Sequence, residues 1–256
     1  MTAHTLSKTI SHFITENGTE VPAISMVQMT EVDRIAMEET GPNLFQMMEN
    51  AGRNLAEMAI QIWGRRWDKS TVVVLAGGGG DGGGGICAAR HLANRNIDVR
   101  LCLAKPDRMS DVTAYQHKIY QNSGGREIDG TDLERLYPDL IIDALIGYSL
   151  RGAPTGAAAE MIRWANQNDA PVLALDVPSG LDATSGDTPG VHIQPKWTMT
   201  LALPKTGLLP EKTGDLWLAD IGIPVAVYRQ LNIDYNPPFG KRFRVALNAE
   251  KTQGFE

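Results

Sequence analysis

A chain of 256 residues, 43% of them hydrophobic, is long enough to bury one large core. Its formal net charge of −6 and lack of any basic run exclude the electrostatic footprint of a nucleic-acid binder and give nothing for an anionic membrane to hold. Two cysteines in no zinc-like spacing, and no stretch approaching a membrane span, lead us to expect a cytoplasmic protein with neither nucleic-acid nor membrane partners.

In chain order, a polar leader comes first, without the cationic start and apolar stretch of a secretory signal. Residues 28 to 62 read as helix, with apolar residues recurring at three and four. TVVVLA (71–76) is a continuous apolar run, as expected of a strand buried on both faces, and 99–104, 140–146 and 172–177 repeat that character. Helical patterns at 85–95, 110–122 and 155–168 lie between them. Strands alternating with helices predict right-handed crossovers and a parallel sheet, extended by 197–203 and 215–222. The Pro-containing tail 223–256 is weaker in pattern, and no linker divides the chain.

Between the first strand and its helix runs GGGGDGGGG, Gly77 to Gly85, whose one functional side chain is Asp81. Glycine runs are often flexible linkers. Flanked without a gap by a strand and an amphipathic segment, this one reads as a tight turn whose backbone amides, with the helix N-terminus, cradle a phosphate.

Ligands of open parallel sheets bind beyond the carboxyl ends of the strands, which makes the polar residues there candidates. The second strand ends in Lys105 and Asp107, the third carries Asp143 before GYSLRGAPTG, and the fourth ends in Asp176 before VPSGLDATSG. A carboxylate inside an apolar strand is costly unless hydrogen-bonded, paired or bound to a cation. Two such residues opening onto Gly-containing loops favour a shared ligand site over two separate structural carboxylates. The oxygens of Asp81, Asp143 and Ser179 suit a hard cation rather than zinc. The five histidines are scattered and are assigned no chemistry; His91 reads as a packing or surface residue. Ser179 lacks the GxSxG context of a nucleophile.

At these residues the chain resembles the NAD(P)H-hydrate epimerase family, the YjeF N-terminal domain, over roughly 25–224. MMENAG (47–52) is similar to the family's helical signature, and GGGGDGGGGICAARHL (77–92) to its GPGNNGGDGLVAARHL, in a register set by AARHL. DALIGYSLRG (143–152), LALDVPSGLDATSG (173–186), TMTLALPKTGL (198–208) and ADIGIP (219–224) follow in family order. The resemblance implies a Rossmann-like three-layer α/β fold with a central, mostly parallel sheet and helices on both faces. Residues 1–24 are then a leader, 25–224 the domain, and 225–256 an extension packed on it.

By the same resemblance, the chain interconverts the R and S forms of hydrated NADH and NADPH for a separate dehydratase, as a homodimer. The implied substrate contacts are Gly80, Asp81, Gly82, Gly83 and Gly84, then Gly147, Tyr148, Ser149, Leu150, Arg151, Gly152 and Ala153, and Asp176. The implied potassium ligands are Asp81, Asp143 and Ser179, and the acid/base candidates Lys105, Asp143 and Asp176. MMENAGRN is the expected dimer surface. The chain departs from the family in the loop: Gly80 and Asp81 stand where it has two asparagines, and Gly84 where it has an aspartate. That change motivates an alternative, a noncatalytic nucleotide-binding or interaction module like the relatives in mRNA-decay scaffolds. An ordinary NAD-dependent dehydrogenase expects an acid ending the second strand, where this chain has AKPD.

Overall fold

The computed structural model describes residues 9–249. Within them one ten-stranded sheet runs in the order β2-β1-β10-β9-β8-β7-β6-β3-β4-β5. Its parallel part comprises β3 (Thr71–Ala76), β4 (Asp98–Leu103), β5 (Arg126–Ile128), β6 (Leu140–Ala144), β7 (Val172–Leu175), β8 (Trp197–Leu201) and β9 (Asp215–Ala219). From β3 the chain first steps outward through β4 and β5, then returns to lay β6 on the other side of β3. The strand order therefore reverses between β3 and β6, which opens a crevice at their carboxyl ends.

Strand β3 shows why the sheet has two covered faces. Val72, Val74 and Ala76 pack with Leu55 and Ala59 of α2 (Leu44–Trp63) and with Ile86 and Ala89 of α3 (Gly80–Ala93). Val73 and Leu75 point the other way, against Met161 and Ile162 of α5 (Gly156–Gln167). Successive side chains alternate faces, so a strand buried on both sides must be apolar throughout. The expected three layers are present, and α4 (Asp111–Asn122) joins α3 by burying Tyr120 in the same cluster.

The ends of the chain join the same sheet. The leader supplies β1 (His12–Thr15) and β2 (Glu20–Pro22), and the tail supplies α7 (Val225–Gln230) and β10 (Arg244–Ala249). Strand β10 pairs antiparallel with β9, and β1 with both β10 and β2, so the two termini complete one edge of the sheet. These short pieces carry too few alternating positions to stand out in sequence. Residues 1–8 of the leader and 250–256 of the tail lie outside the described part. A helix α1 (Met26–Ile35), capped reciprocally by Ser25 and Gln28, continues through Ala36–Thr40 toward α2.

Helix α3 begins at Gly80, five residues ahead of the predicted 85, so most of the glycine run is helical. Glycine costs roughly 0.5–1 kcal/mol relative to alanine inside a helix. Close approach explains its use: a Cβ at Gly85 would lie 2.4 Å from that of Ala144 in β6, and one at Gly82 would lie 1.8 Å from the carbonyl oxygen of Gly77. The expected dimer surface is turned inward. Met47, Met48, Ala51, Gly52 and Asn54 of MMENAGRN are buried, α2 being packed along α3.

Candidate active site

The carboxyl ends of β3, β6, β7 and β8 converge beneath α1 and the start of α2 on a pocket of about 390 Å³. Its wall is mainly apolar, with Met29, Met47, Met48 and Leu175 among the lining residues. Asp33, Asp81, Tyr148, Asp176 and Lys205 are among its polar groups, with Thr30, Arg34 and Ser149 also on the wall.

Asp176 follows β7 in a left-handed conformation, φ 62°, uncommon for a residue other than glycine. Its side chain is 2% exposed and paired with Lys205, itself 1% exposed. Asp176 Oδ1 accepts from Lys205 Nζ, from the Leu201 amide at 3.1 Å and from Thr200 Oγ1 at 3.2 Å. Lys205 Nζ also donates to the Leu201 carbonyl at 3.1 Å and to Thr200 Oγ1 at 3.4 Å. A buried ion pair survives only with such additional hydrogen bonds. With Oδ1 saturated, Oδ2 is the oxygen available to the cavity.

Asp143 is the penultimate residue of β6, beside Ala174 of β7, and is fully buried. Its Oδ1 accepts from Ser179 Oγ at 2.6 Å and from the Leu145 amide at 3.3 Å, and its Oδ2 accepts from the Ser179 amide at 2.9 Å. Burial pushes its carboxyl up to about 6, partly offset by the Ser179 hydrogen bonds. Ser179 Oγ in turn accepts from the Ile146 amide at 2.8 Å. This pair locks the β6 loop to the β7 loop and does not line the pocket.

Asp81 sits in the first turn of α3 and lines the pocket with Gly80 and Gly84. A Cβ on Gly147 would fall 1.3 Å from Asp81 Oδ2, so that glycine is what lets the carboxyl lie against the β6 loop. Burial, followed by the charge of Asp176, raises its affinity for a proton well above that of an ordinary aspartate. Positions 81 and 84 share one face of the helix, one turn apart, which is why both reach the pocket.

The predicted residues thus divide. Gly80, Asp81, Gly84, Tyr148, Ser149 and Asp176 line one pocket, and Asp143 and Ser179 lie behind it. Gly82 and Gly83 are buried in α3, and Gly147 beside Asp81. Leu150 is half-buried, and Arg151, Gly152 and Ala153 are exposed on the loop leading to α5; these four do not line the pocket. Lys105 is not brought to this pocket: it is exposed after β4, on the side of the switch point away from β7, and the lysine that lines the pocket is Lys205. The signal for Lys205 was available, a lysine in PKTG directly after an apolar strand. Asp33 had no such signal; on a half-polar helix an aspartate reads as surface.

Fold and site together define a Rossmann-like α/β domain with a charged pocket at its switch point. Residues 44–207 match the family described as YjeF-related protein N-terminus. A protein of Dehalogenimonas lykanthroporepellens named NAD(P)H-hydrate epimerase is 50% identical over 240 residues, 93% of this chain and 98% of its own. The bifunctional NAD(P)H-hydrate repair enzyme Nnr of Moorella thermoacetica is 35% identical over 78% of this chain and 40% of its own. Human enhancer of mRNA-decapping protein 3 is 32% identical over 96% of this chain and 48% of its own, so the chain spans less than half of these two longer relatives. The crystal structure of yeast ynu0, YNL200c, superposes with a TM-score of 0.76 at 22% identity, covering 88% of this chain and 100% of that one, a likeness of fold. The chain belongs to the YjeF-related N-terminal family.

Proposed function

We propose that this chain is an NAD(P)H-hydrate epimerase, interconverting the R and S forms of hydrated NADH and NADPH. The observation that carries the reading is the buried Asp176–Lys205 pair opening onto the switch-point pocket, in a chain half identical to a named epimerase along nearly the whole of both. The substrate bears a hydroxyl at C6, next to the ring nitrogen. Protonated, that hydroxyl leaves as water while the nitrogen lone pair forms an iminium; water then adds to the opposite face and returns the proton. Asp176 Oδ2 moves that proton, and Lys205 holds Asp176 through Oδ1. Such acid/base groups contribute roughly 10²- to 10⁴-fold.

The N-terminus of α3, at Gly80 to Gly84, receives the pyrophosphate, and the loop from Gly147 to Ala153 flanks the ribose, with Arg151 at its exposed end. The oxygens of Asp81, Asp143 and Ser179 are of the type that holds a potassium ion. Asp81 fits that role because its half-buried carboxyl lines the pocket and has no hydrogen-bond donor among the described residues. Held by these residues, a potassium ion would supply positive charge beside the Asp81 carboxyl. No helix among the described residues is long and apolar enough to cross a membrane. A cytoplasmic homodimer working with a separate dehydratase completes the proposal.

The noncatalytic module remains the second reading, favoured by the mRNA-decapping relatives and by Gly84, which faces the pocket without a carboxylate. The two are separated by incubating the protein with mixed epimers and an S-specific dehydratase. Faster consumption of the R form than in the dehydratase alone supports the enzyme. Calorimetric binding of NADPH in potassium without turnover supports the module.

A further inference from the structure

The fold ties α1 to the reactive pair at two places. Just ahead of the helix, the Ile24 amide donates to the Pro204 carbonyl at 2.9 Å and the Ile24 carbonyl accepts from the Thr206 amide at 3.0 Å, so the backbone on both sides of Lys205 is strapped to α1. Two turns along, Asp33 Oδ2 accepts a 2.6 Å hydrogen bond from Tyr148 Oη. The Tyr148 ring in turn faces Lys205, whose Nζ lies 5.8 Å from the ring centroid, within cation–π range.

Each member of this chain is held by the next. Lys205 spends its ammonium protons on Asp176, Leu201 and Thr200, so the ring can attract the charge without competing for a hydrogen bond. Tyr148 comes from a Gly-containing loop after β6; its ring packs against the core beside α1, and its hydroxyl bond to Asp33 sets the direction in which the ring points. Burial pushes the Tyr148 hydroxyl up, with the Asp33 charge adding to it, so the phenol stays a donor. Asp33 is also raised, by burial above all, and it accepts from Tyr148 whether or not its other oxygen is protonated. Asp33 lies ahead of residues 44–207, outside the stretch matched to the family.

We infer that Asp33 is a positioning residue: through its hydrogen bond to Tyr148 it holds the aromatic ring over Lys205, and so fixes the orientation of the Asp176–Lys205 pair toward the substrate. The inference rests on the epimerase reading. The pyrophosphate anchor at α3 is a separate element, so loss of the Asp33 bond disturbs turnover and leaves substrate capture intact. Small misplacements of a reacting group are costly; a shift of about 1 Å can cost on the order of 10²-fold.

The test is a double-mutant cycle with Asp33→Ala and Tyr148→Phe, together with Asp33→Asn, which keeps an acceptor for the phenol. Steady-state kcat and KM on purified R epimer and the thermal midpoint are measured for each. The expected result is a fall in kcat of about tenfold in Asp33→Ala and in Tyr148→Phe, with KM within about twofold in Asp33→Ala, and no further fall in kcat in the double variant, as coupled neighbours show. Asp33→Asn should retain kcat within about twofold. Full kcat in Asp33→Ala, multiplying effects in the double variant, or failure of Asp33→Asn to rescue would overturn the inference while leaving the epimerase reading in place. An inactive wild-type protein would overturn both.

Discussion

Two polar clusters adjoin α3, one beside its C-terminal half and one at its N-terminus, and they differ in one respect that matters. Between α2 and α3, Glu49, Cys87 and His91 place a carboxylate, a thiol and an imidazole within 4.8 Å, a set that by type suggests a metal. Arg90 occupies the same carboxylate: Glu49 Oε2 accepts from Arg90 and from Cys87 Sγ, and Oε1 pairs with His91 Nε2 at 2.8 Å. Burial raises Glu49, but the hydrogen bonds from Arg90, His91 and Cys87 outweigh it and hold its carboxyl down at about 2; burial pushes the Cys87 thiol up to about 12. The cluster carries its own counter-charge and acts as a staple, consistent with reading His91 as a packing residue.

The pocket cluster is arranged the other way. Three carboxyl groups, Asp33, Asp81 and Asp176, face one ammonium, Lys205, and open onto a cavity. Chemical type therefore distinguishes the two regions less well than saturation does. Where acceptors are filled the groups hold the fold together; where one is left facing space, chemistry has somewhere to occur.

The largest expected effect is at Lys205. Lys205→Met leaves a buried, unpaired Asp176 and should cost about 3–5 kcal/mol in chemical denaturation, with loss of epimerisation. Gly85→Ala comes next, since its methyl would meet Ala144; about 1–3 kcal/mol of destabilisation is expected, read as a lower denaturation midpoint at unchanged slope. Arg90→Met probes the staple. Glu49 is 38% exposed, so solvent screening limits the loss to about 1 kcal/mol, and epimerase activity should stay within about twofold.

The staple also has a pH signature. Because Glu49 titrates lower in the folded protein than unfolded, its contribution is present above about 4.5 and is lost as pH falls toward 2. Wild type and Arg90→Met should thus converge in stability across that window, and a constant gap would break the comparison. The smallest effect belongs to Lys105→Ala, an exposed site expected to change stability by no more than about 0.5 kcal/mol and activity not at all.

Much of this was legible beforehand, for identifiable reasons. The strands at 71–76 and 140–144 are apolar apart from Thr71 and Asp143 because both faces are covered, and that pattern is local. Asp143 and Asp176 stood out as carboxylates at the ends of such strands. What was hidden depends on non-local geometry. The helical start at Gly80 requires knowing that β6 passes within a methyl's distance of the helix. Lys105 and Lys205 both follow strands, and only the strand order, with β8 beside β7 and β4 beyond β3, decides which one meets Asp176. Asp33 acquires meaning only when α1 is laid over the pocket, and β1, β2 and β10 exist as strands because they find one another across the whole length of the chain.

The most direct test compares wild type with Asp176→Asn on purified R epimer, following appearance of the S form by chromatography while circular dichroism monitors the fold. Conversion by the wild type, reduced on the order of 10²- to 10⁴-fold in a variant that remains folded, is the predicted result. Equal rates in the two proteins would contradict the assignment of proton transfer to Asp176, and with it the central reading of the pocket.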